Sequence, residues 1–160
     1  VGYRPLFNCC VFAHARAISN VAKRCNNVEI CDKYGATAEY IRKTYLSSAW
    51  NEELNFFTVI KDGGALADVR ELHGYAPWYF DMVDDRYDMA WQYINDKNVF
   101  KAPYGLTFCQ QDHRGFKLDY TGHECKWNGP SWPLTTSFTL DAMVRMLHKR
   151  ECDKTEAKRA

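Results

Sequence analysis

Asn8-Cys9-Cys10-Val11-Phe12-Ala13-His14-Ala15-Arg16-Ala17-Ile18-Ser19-Asn20-Val21-Ala22-Lys23-Arg24 is the stretch whose reading decides the fold. Its apolar residues Val11, Phe12, Ala15, Ile18 and Ala22 recur at steps of three and four, the repeat of one helix face. Alanine fills the positions between, and no glycine or proline interrupts the run. The stretch is therefore an amphipathic helix. Beyond a turn at Asn26-Asn27 the same period resumes through Ala36, Ala38, Tyr40, Ile41, Tyr45 and Leu46 to Ser48, so the two helices form an αα-hairpin. The spacing predicts a mainly α fold.

Working outward, Trp50-Asn51-Glu52-Glu53 ends the second helix. Phe56-Phe57-Thr58-Val59-Ile60 followed by Lys61-Asp62-Gly63-Gly64 reads as a small β excursion, because β-branched and aromatic residues stop at a glycine pair that tolerates positive φ. Asp84 or Asp85 caps a further helix over Arg86 to Asn95, with Tyr87, Ala90, Trp91 and Ile94 on one face, and Asp84, Asp85 and Asp88 read as its solvated start. From Asp96 to Pro133 the period is lost while Gly, Pro, Asp and aromatic residues accumulate, which predicts a long ordered loop region of the kind that carries function. Helical spacing returns from Trp132 to Glu151 in Leu134, Phe138, Met143, Met146 and Leu147, with Pro133 in the first turn, where proline is tolerated. Residues 1–160 read as one domain, with a disordered basic tail over 152–160.

A chain of 160 residues that is 46% hydrophobic can bury a core. Its 21 Lys and Arg against 20 Asp and Glu give a formal net charge of +1, so no overall field draws it to nucleic acid or to an anionic membrane. No apolar run reaches the ~18 to 20 residues of a membrane span, and Val1-Gly2-Tyr3-Arg4-Pro5 lacks the apolar core of a signal peptide. The chain is thus cytosolic or stands without its targeting segment; a secreted or periplasmic address is favoured over a cytoplasmic one. The seven cysteines form no CxxC, and the adjacent Cys9 and Cys10 suit no ordinary metal site, so neither a metal nor another cofactor is expected. Cys25 with Cys31, or Cys109 with Cys125, could form a bridge; the alternative is buried free thiols behaving as small apolar residues.

Two stretches carry chemistry. Arg70-Glu71-Leu72-His73-Gly74-Tyr75-Ala76-Pro77-Trp78-Tyr79-Phe80 sets titratable groups beside four rings, and Gly122-His123-Glu124-Cys125-Lys126-Trp127-Asn128-Gly129-Pro130-Ser131-Trp132-Pro133 packs two tryptophans, an acid, an imidazole and an amide among glycine and proline. An irregular backbone of that kind holds side chains in place, and the inventory suits sugars: the apolar C–H face stacks on Trp or Tyr while hydroxyls bond to Glu, Asp, Asn and Arg. The competing reading makes the same aromatics core residues, at least one of Trp78, Tyr79 and Phe80 among them, and makes His73 and His123 hydrogen-bonded packing residues. Glu71 and Glu124 are the better chemical candidates, since an acid among rings has the raised pKa that a general acid requires. The adjacent Arg70 allows a plain ion pair instead.

Arg4-Pro5 with Asn8, Trp50-Asn51-Glu52-Glu53 with Phe56-Phe57, Val69-Arg70-Glu71 with Gly74-Tyr75 and Pro77-Trp78-Tyr79-Phe80, Ala102-Pro103-Tyr104-Gly105, and the Trp127 to Pro133 element resemble, in order and spacing, the mannosylglycerate-hydrolase-like or six-hairpin glycosidase domains. The Trp-Asn-Gly-Pro-Ser-Trp-Pro element is the most specific piece and looks like the counterpart of the tryptophan-rich signature of trehalases and processing α-glucosidases. The resemblance implies an (α/α)6 toroid whose inner-helix loops form a cleft where two carboxylic acids cleave an O-glycosidic bond, typically with inversion. It implies Arg4, Glu71, His73, Tyr75, Trp78, Tyr104, His123, Trp127, Asn128 and Trp132 as sugar-binding positions and Glu124 as the in-chain acid/base candidate. The family's usual acid and base would fall outside these residues, and the chain supplies only part of a toroid. The implied partners are a glycan or small glycoside, and a copy of the chain or the remaining toroid segments against its open flanks. Two other readings stand beside this one: a non-catalytic carbohydrate-binding or interaction module, and a cysteine-rich helical protein with no sugar role.

Overall fold

The computed structural model describes residues 2–119 and 125–157, with side chains as far as Cys152. Pro5 opens the first helix, α1 (Pro5–Arg24), at the position where a missing N–H costs nothing. Of its apolar positions, Cys9, Phe12, Ala15 and Ala22 are buried, whereas Val11 and Ile18 lie on an exposed second stripe with Phe7 and Val21. Asn26, at φ 55°, turns the chain in the left-handed region. Asn27 then accepts a 3.1 Å bond from the Ile30 amide and caps α2 (Val28–Ala49). The two helices pack antiparallel as the expected hairpin.

The β excursion is three separate two-stranded antiparallel pairs. β1 (Gly2–Tyr3) pairs with β4 (Ile60–Lys61), and β2 (Trp50–Asn51) pairs with β3 (Phe56–Phe57). Gly63 and Gly64 take φ of 92° and 88° in the turn that follows β4. The third pair, β5 (Lys101–Ala102) with β6 (Gly105–Leu106), lies inside the stretch read as loop. A 3-10 turn over Leu72–Tyr75 leads directly into the short helix α3 (Ala76–Tyr79). The helix expected from Arg86 is present as a 3-10 helix over Asp85–Asn95, capped by Asp84. Its buried residues Tyr87, Ala90, Trp91 and Ile94 come mostly in three-residue steps, which the tighter winding keeps on one side. The last helix, α4, runs Pro133–Ala157. The result is a mainly α chain with minor strands.

Aromatic rings make the core. Trp91 stacks on Tyr75 at 4.3 Å and meets Trp78 edge-on at 5.4 Å, while Phe57 touches Tyr45, Trp50, Trp78 and Tyr87. Gly74 brings the 3-10 turn against β3 so closely that an added Cβ would collide with the Phe56 ring and the Phe57 carbonyl. Asp88 departs from the solvated role read for it: it is half-buried, accepts the Trp78 Nε1–H at 2.8 Å and pairs with Arg150 on α4. All seven cysteines are free thiols, so neither candidate bridge is formed. Cys9 and Cys109 are buried, and burial pushes both thiols up, Cys109 to about 12. Among the described residues no helix is long and apolar enough to cross a membrane.

Gly74→Ala is expected to lower unfolding free energy by roughly 2–3 kcal/mol, because neither a ring in the core nor a strand carbonyl can withdraw without disturbing its neighbours. Urea unfolding followed by far-UV circular dichroism checks this; an unchanged midpoint would refute the close approach.

Candidate functional site

The first chemical stretch is held by Arg70. Its guanidinium donates to the Leu54 carbonyl from Nε at 3.1 Å and Nη2 at 2.7 Å, and to Gln110 Oε1 at 3.3 Å. It also lies 4.0 Å over the Tyr93 ring. Arg70 is thus a structural anchor and leaves Glu71 without the neighbouring ion pair that adjacency suggested. Glu71 sits opposite Cys109 in an isolated antiparallel bridge, flanked by Leu72 N–H donating to Phe108 O at 2.8 Å and Gln110 N–H donating to Arg70 O at 3.0 Å.

Glu71 pairs with Arg4, which precedes the first turn of α1, at 3.2 Å. The carboxyl is the more enclosed partner, at 18% exposure against 43% for the guanidinium. Burial raises its pKa, and Arg4 offsets only part of that shift. Burial, with a further push from Arg4, lowers His73 to about 4, so its imidazole is neutral through the physiological range. The His73 ring meets Phe108 edge-on at 4.9 Å and Trp127 at 5.7 Å, and its buried Nδ1 has no hydrogen-bond partner among the described residues.

The second stretch closes over this group. Trp127 and Trp132 stack at 4.3 Å with their planes 6° apart, and Trp127 also meets Phe108 edge-on at 5.0 Å. Trp132 Nε1–H donates to Lys126 O at 3.0 Å, which fixes the indole. Asn128 donates through Nδ2 to Gly115 O at 3.0 Å, while its Oδ1 is buried and unpartnered among the described residues. At Gly129 an added Cβ would strike the Lys117 carbonyl, so only glycine lets the loop pass. Phe108 N–H donates to Pro130 O at 3.3 Å, and the Ser131 hydroxyl bonds to Leu106 O, docking the β5–β6 hairpin on the motif. Tyr104, at the tip of that hairpin, is fully exposed.

Arg4, Glu71, His73, Trp127, Asn128 and Trp132 therefore belong to one region. It is built from the chain preceding α1, the 3-10 turn, and the loop that enters α4. Tyr75 and Trp78 do not join it: they are 1% and 3% exposed, and Tyr75 spends its hydroxyl on Ala90 O at 2.9 Å. A ring with both faces packed offers nothing to a sugar, so these two are core. His123 and Glu124 lie outside the described residues. Phe108 is the member that sequence reasoning missed; it sits in an aperiodic stretch, and only its pairing opposite Leu72 brings it to His73. Among the described residues no group of three His, Cys, Asp or Glu side chains could hold a metal ion.

The chain belongs to the family described as the mannosylglycerate hydrolase MGH1-like glycoside hydrolase domain, whose model matches residues 1–160. Among 36 matching solved chains is a sialidase that superposes with a TM-score of 0.85 at 33% identity over 90% of this chain. The chain spans 13% of that sialidase's length. No curated protein matches it.

The unfolded chain protonates His73 near pH 6.5, whereas the folded site resists until about 4. Between those values the unfolded state binds more protons, so this group's contribution to stability falls as the pH drops. Glu71 acts oppositely, since its raised folded pKa holds a proton more tightly in the native state. His73→Gln is expected to flatten the loss of stability between pH 6.5 and 4, measured as urea midpoints at each pH. An identical slope in the variant would refute the assignment.

Proposed function

We propose that this chain is a segment of a glycoside hydrolase that binds a glycan or small glycoside at the Arg4, Glu71, His73 and Trp127–Trp132 region. The observation that carries the reading is the stacked, tethered indole pair set beside a buried carboxyl. Flat rings match the C–H face of a pyranose, and the Glu71 carboxyl and the Arg4 guanidinium supply acceptors and donors for ring hydroxyls. Tyr104, exposed on its docked hairpin, offers a ring to the far end of a longer ligand. Asn128 works through the loop, by holding Gly115.

Hydrolysis needs two carboxylic acids, ~6.5 to 9.5 Å apart for inversion. Glu71 supplies an enclosed carboxyl for binding, and Glu124 is the one acid/base candidate within the chain. The family's usual acid and base would come from toroid segments outside these residues. α1 exposes Phe7, Val11, Ile18 and Val21, and α4 exposes Leu140, Val144 and Leu147, faces suited to those segments or to a second copy. A non-catalytic binding role is the second reading, favoured by Glu71 standing alone as a carboxylate among the described cleft residues.

Trp127→Ala is expected to weaken oligosaccharide binding at this cleft by about tenfold or more, read by isothermal titration with circular dichroism confirming the fold. Unchanged affinity would sink the cleft. Binding by the wild type without release of aryl alcohol from an aryl glycoside would select the non-catalytic reading.

A further inference from the structure

On the other side of the start of α1 lies a cavity of about 500 Å³ between β1, α1 and the last two turns of α2. That size falls within the range of small-molecule sites. Tyr40, Thr44 and Ser48 line it from a single face of α2, spaced four residues apart, and Tyr3 and Asn8 line the opposite side. Tyr3 and Tyr40 are 65% and 71% exposed, although each carries a large apolar ring. Tyr3 is held in register against Ile60, and Asn8 is fixed by its Nδ2 donating to Arg4 O at 2.9 Å, which leaves its carboxamide oxygen as an acceptor. The nearly buried Tyr45 and the side chains of Ile41 and Ile60 complete the lining.

We infer that this cavity is a second saccharide site, specific for an uncharged sugar and separate from the Trp127 cleft. None of its lining residues bears a charge, so an ionic ligand would lose hydration without a counter-charge. Two exposed phenol rings offer stacking faces, and the amide and hydroxyl groups of Asn8, Thr44 and Ser48 match a polyhydroxylated ligand. The site does not rest on the reading of the Trp127 cleft, since it shares no lining residue with it.

The test titrates the chain with maltotriose and cellotriose as neutral probes and with a galacturonic acid trimer as the charged control. Calorimetry gives affinity, and aromatic NMR shifts report on Tyr3 and Tyr40. At least one neutral probe is expected to bind, shifting both tyrosine signals, with the acidic trimer binding at least about tenfold more weakly. Tyr40→Ala, an exposed position whose truncation leaves the core intact, should weaken that binding about tenfold. Trp127→Ala should leave the sugar-induced shifts of Tyr3 and Tyr40 unchanged, which separates failure here from failure of the Trp127 region. The inference is overturned if no neutral probe moves the tyrosine signals, if the acidic trimer binds equally well, or if Tyr40→Ala leaves sugar affinity intact. It is also overturned if Tyr40→Ala only converts a dimer to a monomer in light scattering, since the cavity would then be a contact between copies.

Discussion

The Arg70 guanidinium is the fixed point around which the site is arranged. A guanidinium carries five donors in a planar fork and cannot shed its charge, so inside a protein it must be surrounded by acceptors. Here the Leu54 carbonyl and the Gln110 side chain provide them, and the Tyr93 ring covers the plane. Those contacts gather the β2–β3 turn, the 3-10 helix and the loop after β6 onto one residue. With Arg70 held, Glu71 and Leu72 fall into register with Cys109 and Phe108, and two residues later Gly74 presses on β3. The directions taken by Glu71 and His73 follow from that anchoring.

Much of this was legible in the sequence, for specific reasons. α1, α2 and α4 announce themselves because their apolar residues keep the helical period over several turns, and the Asn26 turn and the glycine pair after β4 stand where left-handed backbone is needed. The Trp127 to Pro133 loop was legible because glycine and proline exclude regular structure there. Tyr75, Trp78 and Asp88 were not. Tyr75 and Trp78 stand in a stretch with no period and Asp88 off the apolar face of its helix, so nothing local says where these side chains go; long-range contacts with Ala90, Trp91 and Arg150 decide it. The 3-10 winding of Asp85–Asn95 was hidden because steps of three residues fit either helix type. The β5–β6 hairpin was hidden by having only two residues per strand.

Electrostatically the cleft is quieter than its residue types suggest. Arg4 faces Glu71, whose proton is held more tightly than in water, and His73 is neutral. A ligand of the proposed kind would therefore meet ring faces and hydrogen-bonding groups there rather than a net charge. The rings are in turn backed by packed aromatics: Phe108 supports both His73 and Trp127.

The free cysteines divide by accessibility. Cys9 and Cys109 are buried and their thiols stay protonated, whereas Cys25 at the end of α1, Cys125 ahead of the Trp motif and Cys152 in α4 are exposed. Thiolate reagents attack where solvent reaches. Cys10 and Cys31 are partly exposed, so a maleimide dye or spin label added to the unmodified protein would report first on the far end of the helical hairpin, the approach to the Trp motif and the last helix, while leaving Cys9 and Cys109 in the core untouched.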